Sequence, residues 1–306
     1  MSHSPMIHCH DLSHFYAGKA ALNKVNFELA AGEPIGLVGP NGAGKTTLLS
    51  ILCGFVRPTS GTVRLFGQAP GTSALNGKVS ALPQDAKLDP SFNIGDQLTF
   101  YARLQGLNTR QAQHESMRVL DAVALKDSIK EKPDTLSHGM AKRVAIAQAL
   151  IGNPELILLD EPTAGLDPVN TRNIRSIITE LSPATTFIIS SHDLSELGRL
   201  CQQILLLDNG NMSSMQLNAS EQNSPTRFIT LQMESCPTTE VIAQLKQVAG
   251  VLLVSNPQKN EFIVEYNPAI EPKIDIKILT CLMDNNWHYR QFSQGKTLEE
   301  KLFFEG

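Results

Sequence analysis

The chain of 306 residues has no run approaching the ~18 consecutive apolar residues that a membrane-spanning helix needs. If a membrane matters to it, a partner chain supplies the spanning part. The first residues, Met1-Ser2-His3-Ser4-Pro5, lack the basic-then-apolar pattern of a secretory signal. Positive charge is not in surplus either. The 26 Lys and Arg against 30 Asp and Glu give a net charge of −4, which leaves no electrostatic case for a nucleic-acid partner. The five cysteines (Cys9, Cys53, Cys201, Cys236, Cys281) are odd in number, scattered and never spaced C-x-x-C. They read as small buried hydrophobes in a reducing cytoplasm, not as disulfides or a zinc site.

What is present is 42% hydrophobic and 18% charged residues, enough apolar material for a real core. The length suits one large domain plus a small one, or two medium domains. Everything is organised around Gly39-Pro40-Asn41-Gly42-Ala43-Gly44-Lys45-Thr46-Thr47, which fits G-x-x-x-x-G-K-[ST], the phosphate-wrapping loop of nucleotide hydrolases. An apolar run, Ile35-Gly36-Leu37-Val38, precedes it as a strand, and Leu48-Leu49-Ser50-Ile51-Leu52 follows as a helix. The glycines let successive N–H groups turn inward as a nest, and the helix N-terminus adds its positive end. Lys45 would reach the β- and γ-phosphates, and the Thr46 hydroxyl would ligate Mg²⁺.

Before the loop, the alternation of Val25, Phe27 and Leu29 predicts a half-buried strand in an antiparallel meander. His8 and His10 share one face of that region. With no carboxylate or thiolate set to close a site, they read as solvated positions opposite Ile7 and Cys9. After it come strands at 61–67 and 79–83, then a mostly helical stretch from Ile94 to Lys130. A further helix runs through 141–151, and Asn153-Pro154 ends it. Leu156-Ile157-Leu158-Leu159-Asp160-Glu161 predicts a fully buried strand whose two acids emerge at its C-terminal end, the edge where open parallel sheets bind ligands. A helix over 168–181 and strands at 187–192 and 204–208 complete this part, the last turning at Asn209-Gly210. From Met212 to Arg227 the composition turns to Ser, Asn, Gln and Pro, a linker. Beyond it the predicted order is βαββαβ, that of a ferredoxin-like split fold. The expected division is residues 1–215, with a helical subdomain over about 88–150, a linker at 216–227 and an accessory domain at 228–306.

The loop, Asp160 and Glu161 together specify phosphoryl transfer to water. Asp160 would hold Mg²⁺ directly or through water opposite Thr46, and Glu161 would polarise the attacking water. His192, ending a later strand, is placed to bond the γ-phosphate or that water; a lone histidine there is as often structural.

At this point residues 6–220 resemble the nucleotide-binding subunits of ABC transporters. Gln84 after an apolar strand is similar to the family's Q-loop glutamine, which joins the metal and catalytic set. Leu136-Ser137-His138-Gly139-Met140 resembles the signature motif peculiar to that family, Ala164-Gly165-Leu166-Asp167 the D-loop and Ser191-His192-Asp193 the H-loop. Tyr16 falls where the family stacks an aromatic ring on adenine. The resemblance implies an α/β P-loop NTPase of ABC type, a mixed sheet with an antiparallel β subdomain and a helical subdomain, followed by the small α+β domain. It implies ATP and Mg²⁺ as ligands. It also implies two copies meeting head to tail, each ATP lying between one phosphate loop and Ser137 and Gly139 of the other copy. A transmembrane permease would dock near Gln84, placing the chain in the cytoplasm, peripheral on the inner face of the membrane.

The signature departs from the usual Gly-Gly-Gln at His138 and Met140. The first change is expected to restrict the backbone and the second to remove an anchoring amide. Ser137 and Gly139 are retained, so a working site whose rate is set there is expected. The 39–192 region is most similar to drug, lipid and polysaccharide exporters, and the tail at 297–304 resembles the C-terminus of that branch. Two alternatives stand beside export: a subunit for maturation of a periplasmic metalloenzyme, which the His8-Cys9-His10 cluster does little to favour, and a non-transport regulatory ATPase, whose relatives carry two motif sets where this chain has one.

Overall fold

The computed structural model describes residues 5–216 and 226–296. The chain divides into two compact units, Met1–Leu217 and Asn218–Gly306. The tail at 297–304 lies outside the described residues, as does the expected linker apart from Gln216, Thr226 and Arg227.

In the first unit, β1 (Ile7–Tyr16) and β2 (Lys19–Leu29) form a hairpin. Its two-residue turn, Ala17-Gly18, has φ of 47° and 82°, the positive values that match the twist of the flanking strands. Ile7, Cys9 and Leu12 point inward with Leu22, Val25 and Leu29, all at most 3% exposed. The opposite face carries His8, 3.3 Å from Glu28, and His10, 3.7 Å from Asp11. Among the described residues no group of three His, Cys, Asp or Glu is placed to hold a metal.

The chain then runs through β3 (Ile35–Val38), α1 (Lys45–Leu52), β4 (Ser60–Leu65) and β5 (Val79–Leu82). Next come α2 (Ile94–Leu104), α3 (Thr109–Ala122) and α4 (His138–Ala149). The unit ends with β6 (Leu156–Asp160), α5 (Pro168–Leu181), β7 (Thr186–Ser191), α6 (Leu194–Leu197), β8 (Gln203–Asp208) and β9 (Asn211–Gln216). β4 joins the first hairpin in a three-stranded antiparallel sheet of order β2-β1-β4. The second sheet has the order β5-β6-β7-β3-β8-β9, parallel from β5 to β8, with β9 antiparallel at one edge. All five residues of β6 are buried, as a strand covered on both faces requires. Each such Leu or Ile contributes roughly 1.5–3 kcal/mol through removal from water.

β9 occupies the beginning of the Ser- and Asn-rich stretch that composition assigns to a linker. It exists because β8 offers it an edge through the Asn209-Gly210 turn, where both φ values are positive. The mostly helical stretch expected from Ile94 to Lys130 contains the two helices α2 and α3. Asn108 closes a capping box with Gln111 at the head of α3, and Gly106, at φ 94°, makes the break.

The second unit contains β10 (Arg227–Met233), α7 (Thr238–Leu245), β11 (Val251–Gln258), β12 (Glu261–Tyr266), α8 (Ile274–Asp284) and β13 (Tyr289–Gln294). The sheet order is β11-β12-β10-β13, antiparallel throughout. With the βαββαβ sequence, that is the ferredoxin-like arrangement expected. Ile229, Leu231, Phe262 and Val264 form its core with Val241, Leu245, Ile278 and Leu282, none measurably exposed.

Candidate functional site

β7 lies between β6 and β3, so three C-terminal strand ends converge at one edge. The 39–47 loop leaves β3 there, and Gly42 and Gly44 carry φ of 81° and 110°. A Cβ on Gly44 would strike the Ala21 carbonyl, and one on Gly39 the Leu207 carbonyl. Ala43 is buried, and its N–H donates to the Pro40 carbonyl at 3.1 Å, so those two residues shape the loop. α1 starts on Gly44 with no side-chain cap and no acid in its first turn. Its end is therefore left to an anion.

Lys45 is only 7% exposed, and its Nζ donates to the Gly39 and Pro40 carbonyls at 2.7 and 3.4 Å and lies 3.8 Å from Glu161. A buried ammonium needs such compensation, and phosphate oxygens would supply it better. Thr46 Oγ1 donates to Asp160 Oδ2 at 2.8 Å. Tyr16, Asn41, Thr47 and Gln84 line the same cavity of about 420 Å³ with Lys45, Thr46, Asp160 and Glu161. Tyr16 is half-exposed, its ring edge-on to His14 at a centroid distance of 4.5 Å.

The Thr46 hydroxyl and Asp160 carboxylate are hard oxygen donors of the kind Mg²⁺ takes, with phosphates and water completing its shell. The protein offers it no wholly proteinaceous cage among the described residues. That set fits Mg²⁺ held with a nucleotide and fits no metal bound alone.

Glu161 is 6% exposed and sits at φ 48°, an unfavourable conformation for a side-chain-bearing residue. The strain points its carboxylate at His192, whose Nδ1 is 2.9 Å from Oε2. Ser190, which sequence reasoning did not single out, bonds both acids. Its Oγ donates to Asp160 Oδ1 at 2.5 Å and accepts the Glu161 N–H at 2.9 Å.

A second residue missed by that reasoning is Lys142 on α4, whose Nζ donates to the Gln84 carbonyl at 3.1 Å. Burial pulls its pKa down, against the opposing pull of Asp160, Glu161 and Asp85. A cation on the helical part thus faces the acids of the nucleotide cavity.

Ser137 and Gly139 do not line that cavity within the chain. Ser137 caps α4, its Oγ accepting the Met140 N–H at 3.3 Å. Gly139 is buried where the Asn170 side chain fills the space a Cβ would take, and Asn170 bonds Asp167, the cap of α5, at 2.6 Å. His138 is the first residue of α4 and has no positive φ. The expected backbone restriction at His138 therefore has no cost, because any residue adopts that conformation.

Residues 22–164 match the ABC transporter family. The linearmycin resistance ATP-binding protein of Bacillus subtilis is 34% identical over 210 residues, 68% of either chain. A Nod factor export ATP-binding protein of Rhizobium etli is 34% identical over 206 residues, 65% of this chain and 64% of that one. The chain thus spans about two thirds of the length of these two relatives. Among solved structures, a dimeric ATP-binding cassette in a post-hydrolysis state with ADP and phosphate aligns over 70% of this chain and all of that one, with TM-score 0.63 and 25% identity. On the fold, the loop and these likenesses, the chain belongs to the ABC transporter family, as one of its ATP-binding, ATP-hydrolysing subunits.

Proposed function

We propose that this subunit powers export of a substrate through a separate transmembrane permease, by ATP-driven head-to-tail pairing of two copies at the cytoplasmic face of the membrane. The observation that carries the reading is the meeting of Lys45, Thr46, Asp160 and Glu161 around one cavity, with His192 outside its lining but 2.9 Å from the Glu161 carboxylate. Lys45 and the 39–47 N–H groups bind the β- and γ-phosphates. Tyr16 stacks on the adenine. Mg²⁺, held by Thr46 and Asp160 with Gln84 nearby, neutralises phosphate charge when bound. Glu161 orients the attacking water, and His192 holds Glu161 in place and contacts the γ-phosphate.

Ser137, which is exposed and does not line the chain's own cavity, is available to the ATP of a second copy, and the buried Gly139 gives α4 its close approach to Asn170 directly behind it. Export, as opposed to import, rests on the names of the relatives: one serves Nod factor export, the other linearmycin resistance. The permease is assigned to a groove of about 660 Å³ between the nucleotide-binding core and the helical part, where Phe55 is 81% and Leu104 68% exposed; Gln84, near which docking was expected, lines the nucleotide cavity and not this groove. No helix of the described residues is long and apolar enough to cross a membrane, so the pore belongs to that partner. The metalloenzyme-maturation alternative gains nothing from His8 and His10, which face Glu28 and Asp11.

The test is Glu161→Gln. The variant should bind ATP, lose turnover by about 10²-fold or more, and form a dimer stabilised by millimolar ATP. A variant that hydrolyses ATP normally, or stays monomeric with ATP bound, contradicts the reading.

A further inference from the structure

Behind Glu161, on the side away from the nucleotide cavity, lies a second cavity of about 360 Å³ between the 161–168 loop, α5 and α6. Glu161 lines both cavities. It is therefore the wall between them, and its contact to His192 is what keeps that wall in position.

The charges around the second cavity are divided in a particular way. Its carboxylates are all engaged. Glu161 bonds His192, Asp193 caps α6 through the Ser195 and Glu196 N–H groups at 2.9 and 3.2 Å, and Glu196 accepts from Thr163 at 2.9 Å. Burial also raises the pKa of Glu196. Its three guanidiniums are not engaged. Arg172 and Arg175, one turn apart on α5, and Arg199, just after α6, line the cavity. None of the three guanidiniums hydrogen-bonds or ion-pairs with a described residue, although the Arg199 backbone N–H donates to the Glu196 carbonyl at 3.2 Å and Arg175 is close enough to act electrostatically on Glu196. Three planar forks left free around one pocket suit a tetrahedral oxyanion, which guanidinium binds in bidentate fashion.

The geometry points to this cavity as a binding site for inorganic phosphate, which receives the product of hydrolysis on its way out past Glu161 and His192. In the reaction the bond between the γ-phosphorus and the bridging oxygen breaks. Water supplies the new oxygen, and ADP, phosphate and a proton result. Glu161, the residue that lines both cavities, then stands between the phosphate and ADP. The three arginines draw it through, which lowers the chance of its return. The exit role rests on the assignment of Glu161 to the attacking water; the binding role does not.

Phosphorus NMR of inorganic phosphate tests binding without hydrolysis. The full chain is loaded with a non-hydrolysable ATP analogue, so that the 39–47 loop is occupied. Wild type should broaden the phosphate resonance in a saturable way, and a variant with R172A, R175A and R199A should bind about tenfold more weakly. The corresponding triple lysine variant should keep part of the affinity. If the triple alanine variant does not fold, the single changes at the exposed Arg172 and Arg199 give the same readout.

A second arm measures the source of the phosphate. Acid-quench kinetics should leave the chemical step of the alanine variant within about twofold of wild type, while a fluorescent phosphate sensor reports release slowed several-fold. Four results overturn the proposal: no broadening with the loop occupied, equal broadening by the alanine variant, release unchanged, or chemistry falling in step with release. Loss of ATP-driven dimerisation without any phosphate binding also overturns it, since the arginines would then grip acids of a second copy. Failure of the Glu161 assignment shows separately, as hydrolysis persisting in E161Q while the NMR result stands.

Discussion

Ser190 Oγ donates to Asp160 Oδ1 at 2.5 Å, and the two residues sit side by side in the parallel register of β7 and β6. The other Asp160 oxygen accepts from Thr46. The aspartate is thereby fixed at both oxygens, one by the neighbouring strand and one by the phosphate loop. Because the same Ser190 oxygen accepts the Glu161 N–H, one hydroxyl positions both acids.

Ser190→Ala should therefore act on turnover more than on ATP affinity. It leaves the Glu161 N–H and one Asp160 oxygen unsatisfied in a buried place, a cost of about 1–3 kcal/mol. ATP hydrolysis should fall about tenfold or more, with the KM for ATP changed little, because Lys45 and the loop remain. Steady-state kinetics check this. A rise in KM with unchanged kcat would assign Ser190 to nucleotide binding instead.

Gly139→Ala should loosen the packing of α4 on α5. A Cβ there meets the Asn170 side chain, which is itself held by Asp167. Overpacking of this kind costs about 1–3 kcal/mol. Adding Asn170→Ala should recover most of the stability in thermal denaturation. If the double variant is no more stable than the single one, the contact is not the reason glycine is required.

Acid should weaken the attachment of α3. The Glu115 carboxyl is held below the usual range first by the Arg118 guanidinium, at 2.7 and 2.8 Å, with burial opposing and the Gly152 N–H assisting. A depressed folded-state value means that this contribution is full above the ordinary glutamate range and is lost as pH falls through the folded value. Denaturation of wild type and Glu115→Gln between neutral and acid pH should show a stability gap that closes on acidification. A gap independent of pH contradicts the assignment.

The legible parts of this protein are those that one segment carries by itself. The 39–47 loop needs only its glycines, its lysine and a strand before a helix, and all of them lie within one short stretch. Asp160 and Glu161 declare themselves by ending an apolar run. The βαββαβ order of the second unit follows from alternation and punctuation. Relations between segments are not carried that way. Ser190 sits in Ile188-Ile189-Ser190-Ser191 as an unremarkable small polar residue, and only the pairing of β7 with β6 puts it beside Asp160. Lys142 looks like any helix-surface lysine until α4 is laid against Gln84. β9 is too polar to predict alone and forms because β8 provides an edge. His138 departs from the family pattern in sequence, yet occupies a helical position that tolerates a side chain.

In the proposed pairing, each ATP is hydrolysed between the 39–47 loop of one copy and Ser137 and Gly139 of another. Mixing two inactive variants tests it most directly, one with Lys45→Ala and one with Gly139→Asp, each checked for folding and allowed to exchange. In a mixed pair one site combines both lesions, and the other combines the intact loop of one chain with the intact signature of its partner. The mixture should show ATPase activity well above the sum of the two variants measured separately. Activity no greater than that sum, with mixed pairs demonstrably formed, would contradict it.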